Sequence, residues 1–228
     1  MVLVFFDTSV LSLLGMGLSI GVAVASFLPL KGRAIRRVPL AVWGMCIAHF
    51  GVALALFGVA ADTAFQKERL VAVSPGDTVD VGPWEATLAS VSPVAGPNWT
   101  AMQGDIFVSY QGGAQTETLP QARSFWAPSG ETSEVALVTR WNGQLYAVVG
   151  DRSPDGRWQL RLWWKPFVTL IWYGGLLIAL GGVLALVGRV LSDLRHRRLA
   201  ARIADRRADR EASTDTAARS TLAHRAGS

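Results

Sequence analysis

The chain has 228 residues, a formal net charge of +5, and apolar side chains at half of its positions. Those apolar residues are gathered into three blocks of about 20 residues without internal charge, each enough for a helix to cross the roughly 30 Å hydrocarbon core of a bilayer. That distribution excludes a soluble single-core protein, and the lone cysteine, Cys46, excludes disulfide-framework, paired-cysteine redox and structural-zinc classes.

In chain order, residues 1–7 form a short N-terminal segment ending in Asp7, and residues 8–30 are the first predicted span. No basic residue precedes it, so it does not read as a secretory signal peptide. Residues 31–37, "KGRAIRR", carry four basic side chains and no acid. Residues 38–61 form the second span and residues 166–188 the third. Between them, residues 62–165 hold eleven acidic and eight basic side chains. Basic loops stay on the cytoplasmic side, so the link and the tail at 189–228 are expected inside and the long loop outside. The N-terminus then also lies outside, an unusual start that leads us to expect further chain ahead of Met1.

The basic tail lacks interleaved aromatic residues and mixes five acids among its arginines, so nucleic-acid binding is not expected. A solvated helix near anionic lipid headgroups, fading into disorder over "STDTAARSTLAHRAGS", fits its composition better. Neither His196 nor His224, both in this tail, has neighbours that would make it a ligand.

In the long loop the hydrophobic period changes to two. The runs "RLVAVSP", "WEATLASV", "DIFVSYQ", "SEVALVTRW", "QLYAVVG" and "WQLRLWW" alternate with turn signals such as "SPGD", "GPNW", "QGG" and "SPDG". "RWNGQLYAVVGD" reads as a hairpin with Asn142–Gly143 at its tip. No segment between strands is long and apolar enough for a crossover helix. The fold class is therefore an α-helical membrane protein with three transmembrane helices and an inserted all-β domain. That domain is predicted to be an antiparallel barrel or sandwich of six to eight strands, an OB-like barrel being preferred.

No catalytic constellation stands out. The loop has no His or Cys, and Ser124, Ser129 and Ser133 have no base at motif spacing. Asn98 heads an "NWT" sequon, but the preceding Gly96–Pro97 makes a tight turn the simpler reading. Trp163 and Trp164 are placed at the membrane boundary as aromatic-belt residues.

The exception is His49, in "IAHFGVALALFGVAA". About 11 residues into its span, it lies ~16 Å deep, where an ionisable group needs a partner and points to function as readily as to packing. Neutral imidazole is a good axial ligand for haem iron. Gly44, Gly51, Ala55 and Gly58 on the same helix form a small-residue stripe for close helix contact, expected to be met by helices outside this chain.

Several segments, in order, resemble the C-terminal region of the CcmF/NrfE family of cytochrome c-type biogenesis proteins. They are "WGMCIAHFGVALALFGVAAD", "GPNW", "LPQARSFW", "TSEVAL", "QLYAVVGD" and "WQLRLWWKPFVTLIWYGGLLIALGGVLAL", within residues 8–190. The resemblance implies a bacterial inner-membrane protein with its soluble domain in the periplasm, acting as a portion of a cytochrome c haem lyase. It implies haem as cofactor, with His49 as an axial ligand to the iron on the outer side of the membrane. It also implies partners: the N-terminal part of CcmF as a separate chain, the haem chaperone CcmE, a CcmH-type thiol protein and apocytochrome c. The family's tryptophan-rich haem-handling segment and its other histidines have no counterpart here, so no complete active site is expected in this chain alone. The alternative reading is a haem-free membrane scaffold whose β-domain binds partner proteins, with His49 a packing residue.

Overall fold

The computed structural model describes residues 10–226, with side chains described as far as Arg206, Asp205 excepted. The expected N-terminal segment 1–7 lies outside the described residues, and the side chain of His224 lies outside the described side chains. Helix α1 spans Val10–Ala25, α2 Leu40–Phe65 and α3 Thr169–Ala226, with two 3-10 turns at Leu28–Leu30 and Ile35–Arg37. Among the described residues, these three helices are long and apolar enough to cross a membrane.

Helix α2 starts two residues later than the apolar block because of Pro39. The residue before a proline is pushed out of the α region. Val38 is accordingly extended, at φ −70° and ψ 126°, and the Pro39 carbonyl accepts bonds from Val42 and Trp43 at 3.0 and 3.3 Å. At its other end the helix passes Asp62 and Thr63, whose hydroxyl back-bonds to the Val59 carbonyl, before it gives way to strand β1.

The chain divides into two compact units. One comprises residues up to Ser26 with His49–Ile178, the other Phe27–Ala48 with Ala179 onward. The first unit contains the β-domain. Its strands are β1 (Lys67–Val73), β2 (Thr78–Val81), β3 (Trp84–Ala95), β4 (Trp99–Tyr110), β5 (Thr116–Thr118), β6 (Gln121–Trp126), β7 (Ser129–Glu134), β8 (Ala136–Arg140), β9 (Gly143–Arg152) and β10 (Trp158–Pro166). They form a four-stranded sheet in the order β1-β10-β9-β8 and a second sheet in the order β2-β3-β4-β6-β7, with β5 on β4. Two separate sheets make this the sandwich of the two architectures the sequence allowed, not the preferred OB-like barrel. The ladders are antiparallel, as the absence of crossover helices required.

The two-residue period does the building. On β3, Trp84, Ala86 and Leu88 are buried; on β10, Leu160, Leu162 and Trp164; on β9, Leu145, Ala147 and Val149. The inner faces meet in one core completed by Val73, Val81, Ile106 and Val108. Trp164 therefore faces the core, and Trp163 lies on the opposite face of β10 under the Arg161 guanidinium, 4.3 Å from its ring. Burial in the core corrects the placement of Trp164 as a belt residue, and both tryptophans belong to β10, which runs on to Pro166. Exposed aromatic residues near that end include Trp141, Trp172 and Tyr173, at 73%, 69% and 43%.

The hairpin tip fastens the sandwich to α3. Arg140 and Gly143 close the β8–β9 ladder around Trp141 and Asn142. The Asn142 carbonyl accepts the Phe167 N–H at 2.8 Å, and the Trp141 carbonyl accepts the Thr169 hydroxyl at 2.8 Å. The Asn142 amide donates to the Tyr110 hydroxyl at 2.9 Å. Phe167, at φ +63°, turns the chain from strand to helix and sets its ring edge-on to Phe57 of α2, centroids 6.3 Å apart. Helix α3 consequently begins at Thr169, three residues beyond the start of the apolar block.

The small-residue stripe on α2 has a partner inside the chain, which corrects the expectation that only outside helices would meet it. In the first unit a side chain built on Gly51 would come within 2.7 Å of the Gly174 carbonyl oxygen, and one on Gly174 would strike Gly51 and Ala55. In the second unit Gly44 lies against Gly181 and Ala185, and Gly188 against Ala41. Helix α3 repeats glycine every seven residues, at 174, 181 and 188, as α2 does at 44, 51 and 58. Matching repeats let two backbones approach in the way membrane helices favour. Replacing Gly51 with Val should therefore force α2 and α3 apart at a cost of about 1–3 kcal/mol. Thermal unfolding in detergent should fall by several degrees, whereas Gly175→Ala, which faces open space, should leave it unchanged.

Candidate functional site

His49 is the tenth residue of α2 and its side chain is exposed. It lies two residues, about 200° of helix rotation, from Gly51, so it points away from the face that packs on α3. Nine residues at 1.5 Å each put it ~14 Å from the Leu40 end, and sixteen put it ~24 Å from the Phe65 end. Both ends of α2 are therefore more than two turns away from His49.

Cys46, one turn before His49, is fully buried, in keeping with a packed small side chain. Among the described residues no group of three or more His, Cys, Asp or Glu side chains could hold a metal ion. His196 is exposed on the basic part of α3. The donor chemistry at His49 suits haem iron, but among the described residues it stands as one imidazole on an exposed helix face, with no second ligand grouped beside it.

The β-domain carries a polar feature that sequence reasoning missed. A cleft of about 530 Å³ opens where β6 and β7 of one sheet face the end of β9 in the other. Met102 and Trp158 supply apolar lining, and Arg123, Arg152, Glu131 and Asp151 supply charge. Arg123 sits 4.4 Å over the Trp99 ring and pairs with Glu134 at 2.8 Å; Arg152 donates to the Gly156 carbonyl at 3.0 Å. The two arginines are 29 positions apart, and only the packing of one sheet on the other brings them to one cleft. No local motif could have found it. Ser124 and Ser133 border the same cleft, which has no histidine or lysine in its lining to activate them. Asn98 falls in the β3–β4 turn, as expected, and its amide donates to the Ala127 carbonyl at 3.4 Å.

Comparison with known proteins adds a family to this geometry. A family profile described as "CcmF C-terminal beta-sandwich" matches residues 64–166. The cytochrome c-type biogenesis protein CcmF of Escherichia coli is 33% identical over 185 residues, covering 79% of this chain and 29% of that protein. CycK of Bradyrhizobium diazoefficiens is 35% identical over 156 residues, covering 68% and 24%. A solved structure titled "Cytochrome c Heme Lyase CcmF" superposes with a TM-score of 0.62 at 20% identity, over 80% of this chain and 32% of that one, which speaks for the fold alone. The chain thus spans less than a third of the length of these curated relatives. On sequence and fold together, it corresponds to the C-terminal region of the CcmF family of cytochrome c-type biogenesis proteins.

Proposed function

We propose that the chain is the C-terminal portion of a cytochrome c haem lyase and that it helps to hold haem for transfer to apocytochrome c. The observation that carries this reading is His49. A side chain able to bind iron stands on the open face of an apolar helix, inside a segment similar to CcmF, whose solved relative is titled a haem lyase. An ionisable side chain within an apolar helix points to function, and the family likeness names the function. His49 would hold the iron as one ligand, and helices supplied by the N-terminal part of the family's protein would cover that face and supply the other. Bound haem contributes the iron and the vinyl groups to be joined to cysteine. What this chain contributes is one axial imidazole and a fixed scaffold.

In the same reading the β-domain faces the periplasm and docks partners of the maturation system, a haem chaperone of the CcmE kind, a CcmH-type thiol protein and the apocytochrome. Support for that side comes from charge. The link at 31–37 and the tail beyond 188 are basic, and the β-domain is net acidic. The haem-free scaffold remains the competing function, and it makes the opposite prediction for His49.

His49→Ala leaves a good helix former in place, so the membrane level should stay near that of the parent. In cells that supply the rest of the system, covalent cytochrome c formation should fall at least tenfold, and added imidazole should restore part of it. His49→Leu, of similar bulk, should fail equally. Full activity of either variant would make His49 a packing residue.

Topology is checked separately. Reporter fusions at Arg36 and Arg198 should register cytoplasm and a fusion at Gly113 periplasm. A cytoplasmic signal at Gly113 would contradict the orientation proposed for the β-domain.

A further inference from the structure

We infer that the cleft at the open seam of the β-sandwich receives an extended polypeptide segment, which adds to β9 as a strand. This deepens the docking role proposed above for the β-domain, and it rests on that role. The starting observation is the path of the chain through β7 and β8. The six residues Ser129–Glu134 pair with β6 at the edge of one sheet, and after Val135 the chain crosses to pair with β9 in the other.

Because of that crossing, β8 covers only half of β9. Its five residues pair with residues 143–147, ending at Ala136 opposite Ala147. On that side, residues 148–152 have no ladder partner among the described residues, although on the other side β10 pairs with Val148, Val149 and Arg152. The vacated place is about 16 Å long at 3.3 Å per residue. It opens into the 530 Å³ cleft, walled by β6 and β7 and lined by Gly150, Asp151 and Arg152 of β9 itself.

A strand edge with unpaired main-chain groups is a template for another extended chain, and main-chain bonds supply the affinity. The chemistry of the walls fits a neutral polypeptide. Two cations, Arg123 and Arg152, are balanced by two acids, Glu131 and Asp151, so no single charge is selected. A β-bulge sets Gly150 and Asp151 against Gln159, and bulges are common next to binding sites. The seam lies at the opposite end of β9 from the Trp141–Asn142 tip that meets α3. It is therefore open to a partner's chain away from the helices.

The test uses the full chain in detergent. Asp151→Cys is joined by a disulfide to the peptide Cys-Thr-Val-Thr-Val-Thr, whose tether gives an effective concentration in the millimolar range. Amide exchange across residues 148–152 should slow at least tenfold. The same peptide with proline in place of both valines, which cannot complete the ladder, should leave exchange unchanged. Equal exchange with the two peptides, or protection that grows with chain concentration in the absence of any peptide, would overturn the inference; the second result would assign the seam to another copy of this chain. In cells, Asp151→Pro should lower cytochrome c formation severalfold at an unchanged haem spectrum, and unchanged formation would likewise overturn it. A failure of the His49 reading shows instead in the haem spectrum, so the two failures are distinguishable.

Discussion

The β8–β9 hairpin tip is the contact on which the rest of the first unit depends. Two carbonyls at a tight turn, those of Trp141 and Asn142, accept bonds from the first residues of the strand-to-helix connection. A helix entering a bilayer leaves its first N–H groups without partners, and a chain turning out of a sheet leaves its last ladder groups open. Here the Asn142 carbonyl takes the Phe167 N–H, and the Phe167 and Val168 carbonyls take the N–H groups of Leu170 and Ile171 at 2.9 and 3.1 Å. Thr169 is 3% exposed and Phe167 sits at positive φ, so the connection is a fixed corner and not a linker. Since the same corner sets Phe167 against Phe57, it also ties α2 to the sandwich.

That corner gives the two chemically interesting regions a common frame. His49 lies down α2 from Phe57, facing away from the Gly51–Gly174 contact. The polar cleft lies at the far end of β9 from the hairpin tip. In the proposed account one end of this unit offers an iron ligand inside the membrane, and the other offers an open strand edge outside it. A portion of a haem lyase needs both kinds of surface, one toward the cofactor and one toward the protein that receives it.

What could be read from the sequence follows from how local each signal is. The apolar helices, the central strands and the β8–β9 hairpin are legible because charge-free length, alternation and turn chemistry act over a few residues, although the turn falls at Trp141–Asn142, one residue before the expected tip. Strand β7 is not. It lies on an edge with every side chain exposed, so "SGETSE" has no buried face to print a period of two. "SEVALVTRW" read as one strand because alternation continues through Val135, where the chain changes sheets. The apolar block at 166–188 runs three residues ahead of helix α3, because Pro166 ends β10 and Phe167 at positive φ turns the chain into the helix. The glycine stripe was seen on α2, but its partner on α3 was overlooked, although glycines at 174, 181 and 188 repeat the same spacing. His49 was legible as an ionisable group where lipid belongs. Its depth needed the helix ends, and the charged cleft needed the packing of the two sheets.

The central claim is that His49 ligates haem, and the electronic spectrum of the iron reads the ligand directly. The chain would be co-produced with the N-terminal part of a CcmF-family protein, purified as a complex, and compared with a His49→Cys form by absorption and electron paramagnetic resonance. The account predicts that replacing imidazole by a thiolate changes the haem spectrum to that of a cysteine-ligated iron, because axial-ligand identity sets the electronic state. Identical spectra from the two complexes, at equal haem content, would contradict it.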